Sequence, residues 1–361
     1  MKHISILIKP SSSLCNMKCK YCFYSDIANH REIPSYGMMN ECVMETLILK
    51  SLKLKDTTHI TYAFQGGEPT LIGLKFYKKF VEYVTQNKTN QKIQYIIQTN
   101  GLLITEDWVQ FFKKHQFLVG ISLDGYKDLH NYYRIDNNGK HTFQKVMCTI
   151  SLLKKYHVDF NILCVLTKGM AKHPEKVFHF ILKNKLKYIQ FIPCLPGLDE
   201  NESEYSLSPQ MFYQFYKRIF TMWLDQYKQG NYISITLFDN LIPIFKGILP
   251  QQCGMLGFCA PQLVVESNGD VYPCDFYVLD QYKCGNILND EIIDIIKSPK
   301  MKSFIEESRR ECDECKDCKY ESICHKNCKR QNIAYYSKEY CGYRHFLQEK
   351  ESEMRMIASQ L

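Results

Sequence analysis

The fold is read outward from residues 5–24: Ser5-Ile6-Leu7-Ile8-Lys9-Pro10-Ser11-Ser12-Ser13-Leu14-Cys15-Asn16-Met17-Lys18-Cys19-Lys20-Tyr21-Cys22-Phe23-Tyr24. A short apolar run reads as a first strand, Ser5–Lys9, and ends at Pro10, which has no N–H to donate to a sheet. Cys15-x3-Cys19-x2-Cys22 follows, with Tyr21 before the last cysteine and Phe23-Tyr24 after it. Three thiolates can hold three irons of a [4Fe–4S] cluster and leave the fourth open to a ligand. The same three thiols fit a zinc knuckle completed by a distant residue, because structural zinc takes four ligands. No fourth Cys or His lies inside the loop, although His30 is near.

The pattern continues down the chain. Short apolar runs at 59–64, 93–98, 118–122, 159–166 and 188–192 read as strands. Between them apolar residues recur three and four apart, as in Phe76, Tyr77, Phe80, Val81 and Val84, and in Phe143, Val146, Met147, Ile150 and Leu153, which is the period of a helix. Alternating strands and helices imply an α/β fold with a parallel sheet and right-handed crossovers. Six repeats point to an open, partial (β/α)6 barrel rather than a closed eight-fold one. The unusual residues fall just after the strands: the three cysteines after the first, Gly66-Gly67-Glu68-Pro69 after the second, Thr99-Asn100-Gly101 after the third, and Ser122 with Asp124-Gly125 at the fourth. Parallel α/β folds bind ligands at the C-terminal ends of their strands, so these segments are expected to converge on one site.

A strongly apolar helical segment at 211–229 is followed by a change of character. The stretch 253–341 holds most of the cysteines among Gly, Pro and polar turns, and reads as a metal-stapled module. The expected division is residues 1–230 and 231–361. The chain has 17 cysteines and no export signal, so reduced thiols that bind metal are favoured over disulfides. No apolar stretch approaches the length of a membrane span, and a cytoplasmic protein is expected. The formal charge of +8 comes from dispersed Lys and Arg with Asp and Glu interleaved, so no nucleic-acid partner is indicated. With eleven cysteines as cluster ligands the charge falls to about +3.

The Cys15/Cys19/Cys22 loop resembles the cluster loop of the radical S-adenosylmethionine (SAM) superfamily, in which the open iron chelates SAM. That resemblance implies that Gly66, Gly67 and Glu68 belong to the segment holding the methionyl amino group, with glycines that let backbone approach a ligand. It implies that Ser122 and Arg134 serve the SAM carboxylate and its neighbourhood; the planar fork of Arg suits a carboxylate. Tyr21 and Leu195 match adenine-side contacts. From the residues alone, Arg134 would be a surface ion pair and Leu195 an ordinary core residue.

The C-terminal pattern is Cys253, Cys259-x9-Gly269-x4-Cys274, then Cys315-x2-Cys318-x5-Cys324-x3-Cys328 and Cys341. The spacing alone also allows two zinc sites, since thiolates suit both metals. It resembles the SPASM auxiliary-cluster domain, and the resemblance implies two further [4Fe–4S] clusters. One would be held by Cys253, Cys259, Cys274 and Cys328, the other by Cys315, Cys318, Cys324 and Cys341, for three clusters in all. Cys312 makes an overlapping CxxC pair with Cys315. It is set aside with Cys42, Cys148, Cys164, Cys194 and Cys284 as small thiols expected to be buried or partly buried.

Asp275 follows Cys274 directly, in Tyr272-Pro273-Cys274-Asp275-Phe276-Tyr277. By itself it reads equally well as a turn-capping Asp. Nearly the whole chain, however, resembles the anaerobic sulfatase-maturating enzymes, through Ile8-Lys9-Pro10, residues 19–24, Ser35-Tyr36-Gly37 and residues 64–70, 98–101, 117–120, 160–165 and 271–280. That resemblance implies oxidation of a Cys or Ser side chain in a sulfatase polypeptide to Cα-formylglycine, with Asp275 as general base. It further implies a low-potential donor such as ferredoxin or flavodoxin, and a monomer is expected. Two rivals remain: a related maturase installing a thioether or carbon–carbon crosslink, and a non-catalytic metal or electron-transfer protein. The first strand begins at about residue 4, which is expected to leave no room for the leader-binding domain of many crosslinking maturases.

Overall fold

The computed structural model describes residues 2–361. The chain packs as two units: residues through Ser122 with 134–160 and 261–306, and residues 123–133 with 161–260 and 307–361.

In the first unit the strands are β1 (His3–Ile8), β2 (His59–Phe64), β3 (Lys92–Thr99) and β4 (Leu118–Ser122). They pair in parallel in sequence order, with Ile8 opposite Phe64 and Phe64 opposite Ile97. The helix Leu74–Asn87 buries the expected stripe, Phe76, Tyr77, Phe80, Val81 and Val84. The helix Phe143–Lys155 buries Val146, Thr149, Ile150 and Leu153, while Phe143 and Met147 stay half-buried.

The second unit carries β5 (Phe160–Leu166), whose first residue belongs to the first unit, β6 (Tyr188–Pro193) and β7 (Ser234–Ile235), again parallel. Residues 261–306 pack with the first unit. Here β8 (Leu263–Val265) joins the free edge of β1 in parallel, and β9 (Asp270–Tyr272) and β10 (Gly285–Asn286) extend it antiparallel. A three-residue strand of Leu-Val-Val carries too short a period to be read from sequence, and its partner lies over 250 positions away.

The thiols set aside as buried divide. Cys164, Cys194 and Cys312 are buried and Cys284 is half-buried, but Cys42 and Cys148 are exposed. Both exposed thiols stand on the solvent side of amphipathic helices. Cys42 lies beside the buried Val43 and Met44, and Cys148 lies one turn beyond Gln144, whose amide donates to its sulfur at 3.9 Å. No helix of the described residues is long and apolar enough to cross a membrane.

The core of the second unit is aromatic. The helix Pro209–Lys228 starts with Pro at its first turn and the Ser208 hydroxyl capping Met211 N–H. It packs against the C-terminal helix Gly342–Ala358, with Phe212 stacked on Tyr343 at 5.7 Å, and its Trp223 lies edge-on at 5.2 Å to Phe238 of the helix Thr236–Ile244. The two helices approach so closely at their starts that a Cβ on Gly342 would lie 2.0 Å from the carbonyl oxygen of Pro209. Alanine in a helix is ordinarily better than glycine by about 1 kcal/mol. At this contact the sign reverses: Gly342→Ala is expected to lower stability by about 1–3 kcal/mol through overpacking. Thermal unfolding checks it, and an unchanged or raised Tm would contradict the contact.

Candidate active site

The loop after β1 is shaped by its own backbone. Ser12 N–H donates to Lys9 O and Leu14 N–H to Ser11 O, and Cys22 N–H to Cys19 O at 3.2 Å. Cys15, Cys19 and Cys22 are half-buried, and Cys22 sits at the start of the helix Phe23–Asn29. Three N–H groups point at these sulfurs: Met17 N–H at 3.4 Å and the Asn100 amide at 3.9 Å on Cys15, and the Arg134 guanidinium at 3.9 Å on Cys19. Burial pushes the Cys15 thiol up to about 11, against the pull of the Met17 N–H. A thiol so placed needs the positive charge of a metal to ionise it.

The turn after β2 lies against this loop. Gly67 has φ +50°, and a Cβ there would sit 2.2 Å from Leu14 O. Glu68 N–H donates to the same oxygen at 2.8 Å. Glycine is therefore required here twice over, by its left-handed backbone and by contact with the cysteine loop itself.

Glu68 is buried, and its carboxylate is fully engaged. Oε1 accepts from Thr70 N–H at 3.0 Å, Thr70 Oγ1 at 2.5 Å and Thr99 Oγ1 at 2.6 Å, and Oε2 accepts from Asn100 N–H at 2.7 Å. Burial raises its pKa, and these bonds oppose the rise. Asn100 passes the tie onward, donating to Asn16 Oδ1 at 2.7 Å. The segments after β1, β2 and β3 thus converge as expected, with Glu68 facing inward as their knot.

Arg134 is buried, and its guanidinium lies over the Tyr21 ring at 5.5 Å, so both reach the cysteine loop. Ser122 closes β4 and is half-buried. Leu195 lies in the second unit, two residues past β6, and is half-buried.

Asp275 begins a 3-10 turn, Asp275–Tyr277, just past β9, and only 6% of its surface is exposed. Lys9 Nζ donates to Oδ1 at 3.1 Å, and the Tyr24 hydroxyl and Gln65 Nε2 donate to Oδ2 at 2.5 and 2.9 Å. Gln65 Nε2 also donates to the Tyr24 hydroxyl. The Lys9 ammonium lies 4.2 Å from the centre of the Tyr24 ring. Burial, followed by the neighbouring Asp275 charge, pushes the Tyr24 phenol well above its usual value, so it is a neutral donor. An ionised carboxylate offers about four lone-pair directions, and three are filled here. Sequence reasoning missed Lys9, Tyr24 and Gln65 as a group. The available signal was position, since Lys9 and Gln65 directly follow β1 and β2 and Tyr24 stands two residues past Cys22.

In the second unit, Cys253, Cys259 and Cys328 gather. A Cβ on Gly254 would come within 3.0 Å of Cys328, and the charges of the other two thiols bear on Cys253. Cys274, the proposed fourth member, is half-buried in the first unit. Cys315, Cys318, Cys324 and Cys341 line one small cavity together with Tyr336 and Tyr343. Burial pushes Cys324 up to about 11 and Cys315 and Cys341 up to about 12. Between Cys324 and Cys328 three consecutive residues, His325, Lys326 and Asn327, have φ between +45° and +60°. This costly reversal separates the two cysteines, one for each group.

None of the 17 cysteines is in a disulfide among the described residues. Among the described residues no three His, Cys, Asp or Glu side chains converge on one ion position. An iron–sulfur cubane does not require that, because each thiolate binds a different iron. The sets that lie within one unit, Cys15 with Cys19 and Cys22, and Cys315 with Cys318, Cys324 and Cys341, therefore suit iron–sulfur clusters by their chemistry.

Comparison with known proteins agrees. The Radical SAM superfamily model matches residues 10–181, and the SPASM iron–sulfur cluster-binding domain matches residues 259–319. A cysteine-type anaerobic sulfatase-maturating enzyme of Clostridium novyi is 45% identical over 333 residues, covering 91% of this chain and 89% of that one. A serine-type enzyme of Bacteroides thetaiotaomicron is 31% identical over 351 residues, covering 92% and 84%. The solved structure of native anSMEcpe with bound AdoMet and Cp18Cys peptide superposes with a TM-score of 0.91 at 40% identity, covering 99% of each chain. Streptococcus suis SuiB, at 18% identity and a TM-score of 0.64 over 94% of this chain and 76% of that one, shares the fold. The chain belongs to the anaerobic sulfatase-maturating enzymes, radical SAM oxidoreductases built on a partial (β/α)6 barrel with a SPASM iron–sulfur domain.

Proposed function

We propose that this protein oxidises a cysteinyl side chain, or alternatively a seryl one, of a sulfatase polypeptide to Cα-formylglycine. The observation that carries the reading is the Asp275 carboxylate, held by Lys9, Tyr24 and Gln65 at the strand ends with one lone-pair direction left over. The greater identity to cysteine-type than to serine-type relatives supports cysteine as the main target.

In this reading Cys15, Cys19 and Cys22 hold the SAM-cleaving cluster. Tyr21, Gly66, Gly67, Ser122, Arg134 and Leu195 hold SAM, and Glu68 positions the loops that do so. Cys253, Cys259, Cys274 and Cys328 hold one auxiliary cluster; Cys315, Cys318, Cys324 and Cys341 hold the other. When bound, the reduced cluster with SAM supplies an acceptor for one hydrogen atom, and the auxiliary clusters supply an acceptor for one electron. Asp275 takes the thiol proton. The side chain thereby loses a hydrogen atom, a proton and an electron, and water hydrolyses the resulting thioaldehyde to the aldehyde, with the sulfur leaving as hydrogen sulfide. Lys9 balances the charge of Asp275, and the neutral Tyr24 phenol orients it without taking up the proton.

By chemistry, residues 1–230 form the radical SAM core and residues 231–361 the auxiliary-cluster module with its C-terminal helix. A cytoplasmic monomer supplied with electrons by a ferredoxin or flavodoxin completes the proposal.

Replacing Asp275 by Asn is expected to cut aldehyde formation by at least about 100-fold, the scale of a lost general base. SAM cleavage to 5′-deoxyadenosine should persist. Peptide mass and nucleoside assays separate the two, and full retention of aldehyde formation would remove the base role. Glu68→Gln puts an N–H where only donors arrive. It is expected to cost about 2 kcal/mol of stability, the scale of one buried unpaired donor, and to weaken SAM binding. Thermal unfolding with calorimetric SAM titration checks this; unchanged values for both would remove the tie.

A further inference from the structure

The first unit holds a second buried ion pair, which the chemistry described so far does not use. Arg31 Nη1 donates to Glu266 Oε2 at 2.9 Å, and the two side chains are 2% and 0% exposed. Two charges taken so far out of water are a poor source of stability, and such a pair is better explained by what it fixes in place.

Arg31 stands two residues past the helix Phe23–Asn29, whose second residue is Tyr24. Its N–H donates to Ala28 O at 3.3 Å and closes the last turn of that helix. Its guanidinium lies 4.9 Å from the centre of the Tyr36 ring, and Tyr36 N–H donates to Ser12 Oγ at 3.1 Å in the loop after β1. Glu266 makes the turn from β8 into β9. Its N–H donates to Asp270 O and its carbonyl accepts from Gly269 N–H, both at 2.9 Å, while Oε1 accepts from Ser267 N–H at 2.8 Å. Glu32, next to Arg31, donates its N–H to Asp280 Oδ2 at 2.8 Å. Asp275 lies between Glu266 and Asp280 in sequence. Residues 31 and 32 therefore grip the Asp275 segment on both sides, from the tail of the helix that carries Tyr24. At the head of that helix Phe23 packs on Phe276, with ring centres 5.1 Å apart. A helix of seven residues has little stability of its own, so its placement comes from such contacts.

We propose that Arg31 is a positioning residue for the oxidation. Paired with Glu266, it sets the short helix against the β8–β9 hairpin, and so holds the Tyr24 hydroxyl at the Asp275 carboxylate. It acts through these two side chains and takes no proton itself. The proposal rests on the reading of Asp275 as the base.

The test uses the full chain, anaerobically reconstituted and reduced, with SAM and a sulfatase-derived peptide bearing Cys. Aldehyde and 5′-deoxyadenosine are measured together over a range of peptide concentrations. The double variant Arg31→Met/Glu266→Leu removes both charges and strands neither, a change that buried pairs often tolerate in stability. Its kcat for aldehyde is expected to fall about 10-fold or more, because a catalytic group misplaced by about 1 Å can cost on the order of 100-fold. KM for the peptide and deoxyadenosine formation are expected to hold, so that less aldehyde forms per deoxyadenosine. Wild-type kcat and yield, or a fall shared equally by both products, overturns the proposal. In a Tyr24→Phe background the same double change is expected to add little, and a full further loss overturns action through Tyr24. If the double variant does not fold, Arg31→Lys decides, since it keeps the charge and loses the planar fork. The same split, smaller in size, is expected from it, and an unchanged yield per deoxyadenosine overturns the proposal. An Asp275→Asn protein with the wild-type aldehyde rate would overturn the base reading itself, a failure distinct from that of Arg31.

Discussion

The ion pair between Lys9 and Asp275 is the constraint on which the site depends. Its two side chains are 3% and 9% exposed, and they are 266 positions apart in sequence. Taking both charges out of water costs several kcal/mol per ion, and pairing offsets this only when the remaining polar valences are also filled. Tyr24 and Gln65 fill them. The demand then spreads to the neighbours. Gly66 takes φ +92°, a backbone that favours glycine, and a Cβ there would lie 2.6 Å from the Lys9 side chain. β8 must sit beside β1, since Lys9 N–H donates to Val265 O and the chain then turns through β9 to reach Asp275. One buried contact thus fixes the end of the first strand, the start of the helix after Cys22 and the turn after Cys274.

Glu68 does for the cofactor loops what Lys9 does for Asp275. Each of its oxygens is already engaged by a donor, so this acid is a fastener. In a buried network such bonds reinforce one another, and loss of one member strands the others. Glu68 draws together turns that follow three different strands, and Asn100 carries the connection to the cysteine loop. Gly67 permits the closest of these approaches.

Much of this was legible in the sequence for physical reasons. β2 and β4 were read at their true limits because each is a compact apolar run ended by turn-forming residues, and the other four barrel strands shifted by only one or two residues. The convergence of the cysteine loop, Gly66-Gly67-Glu68 and Thr99-Asn100 followed from the parallel-sheet rule alone. What stayed hidden was long-range. No local period marks β8 as a partner of β1, and nothing near Asp275 in sequence announces Lys9, Tyr24 or Gln65. Helix faces explain why Cys42 and Cys148 stand in solvent, and only tertiary packing shows that Cys312 is buried.

The most direct test of the account is the mass of a sulfatase-derived peptide bearing Cys, after incubation with the anaerobically reconstituted, reduced protein and SAM. The account predicts the mass change from cysteine to formylglycine, with 5′-deoxyadenosine formed alongside it. Deoxyadenosine formed while peptides bearing Cys or Ser stay unchanged would contradict the substrate assignment.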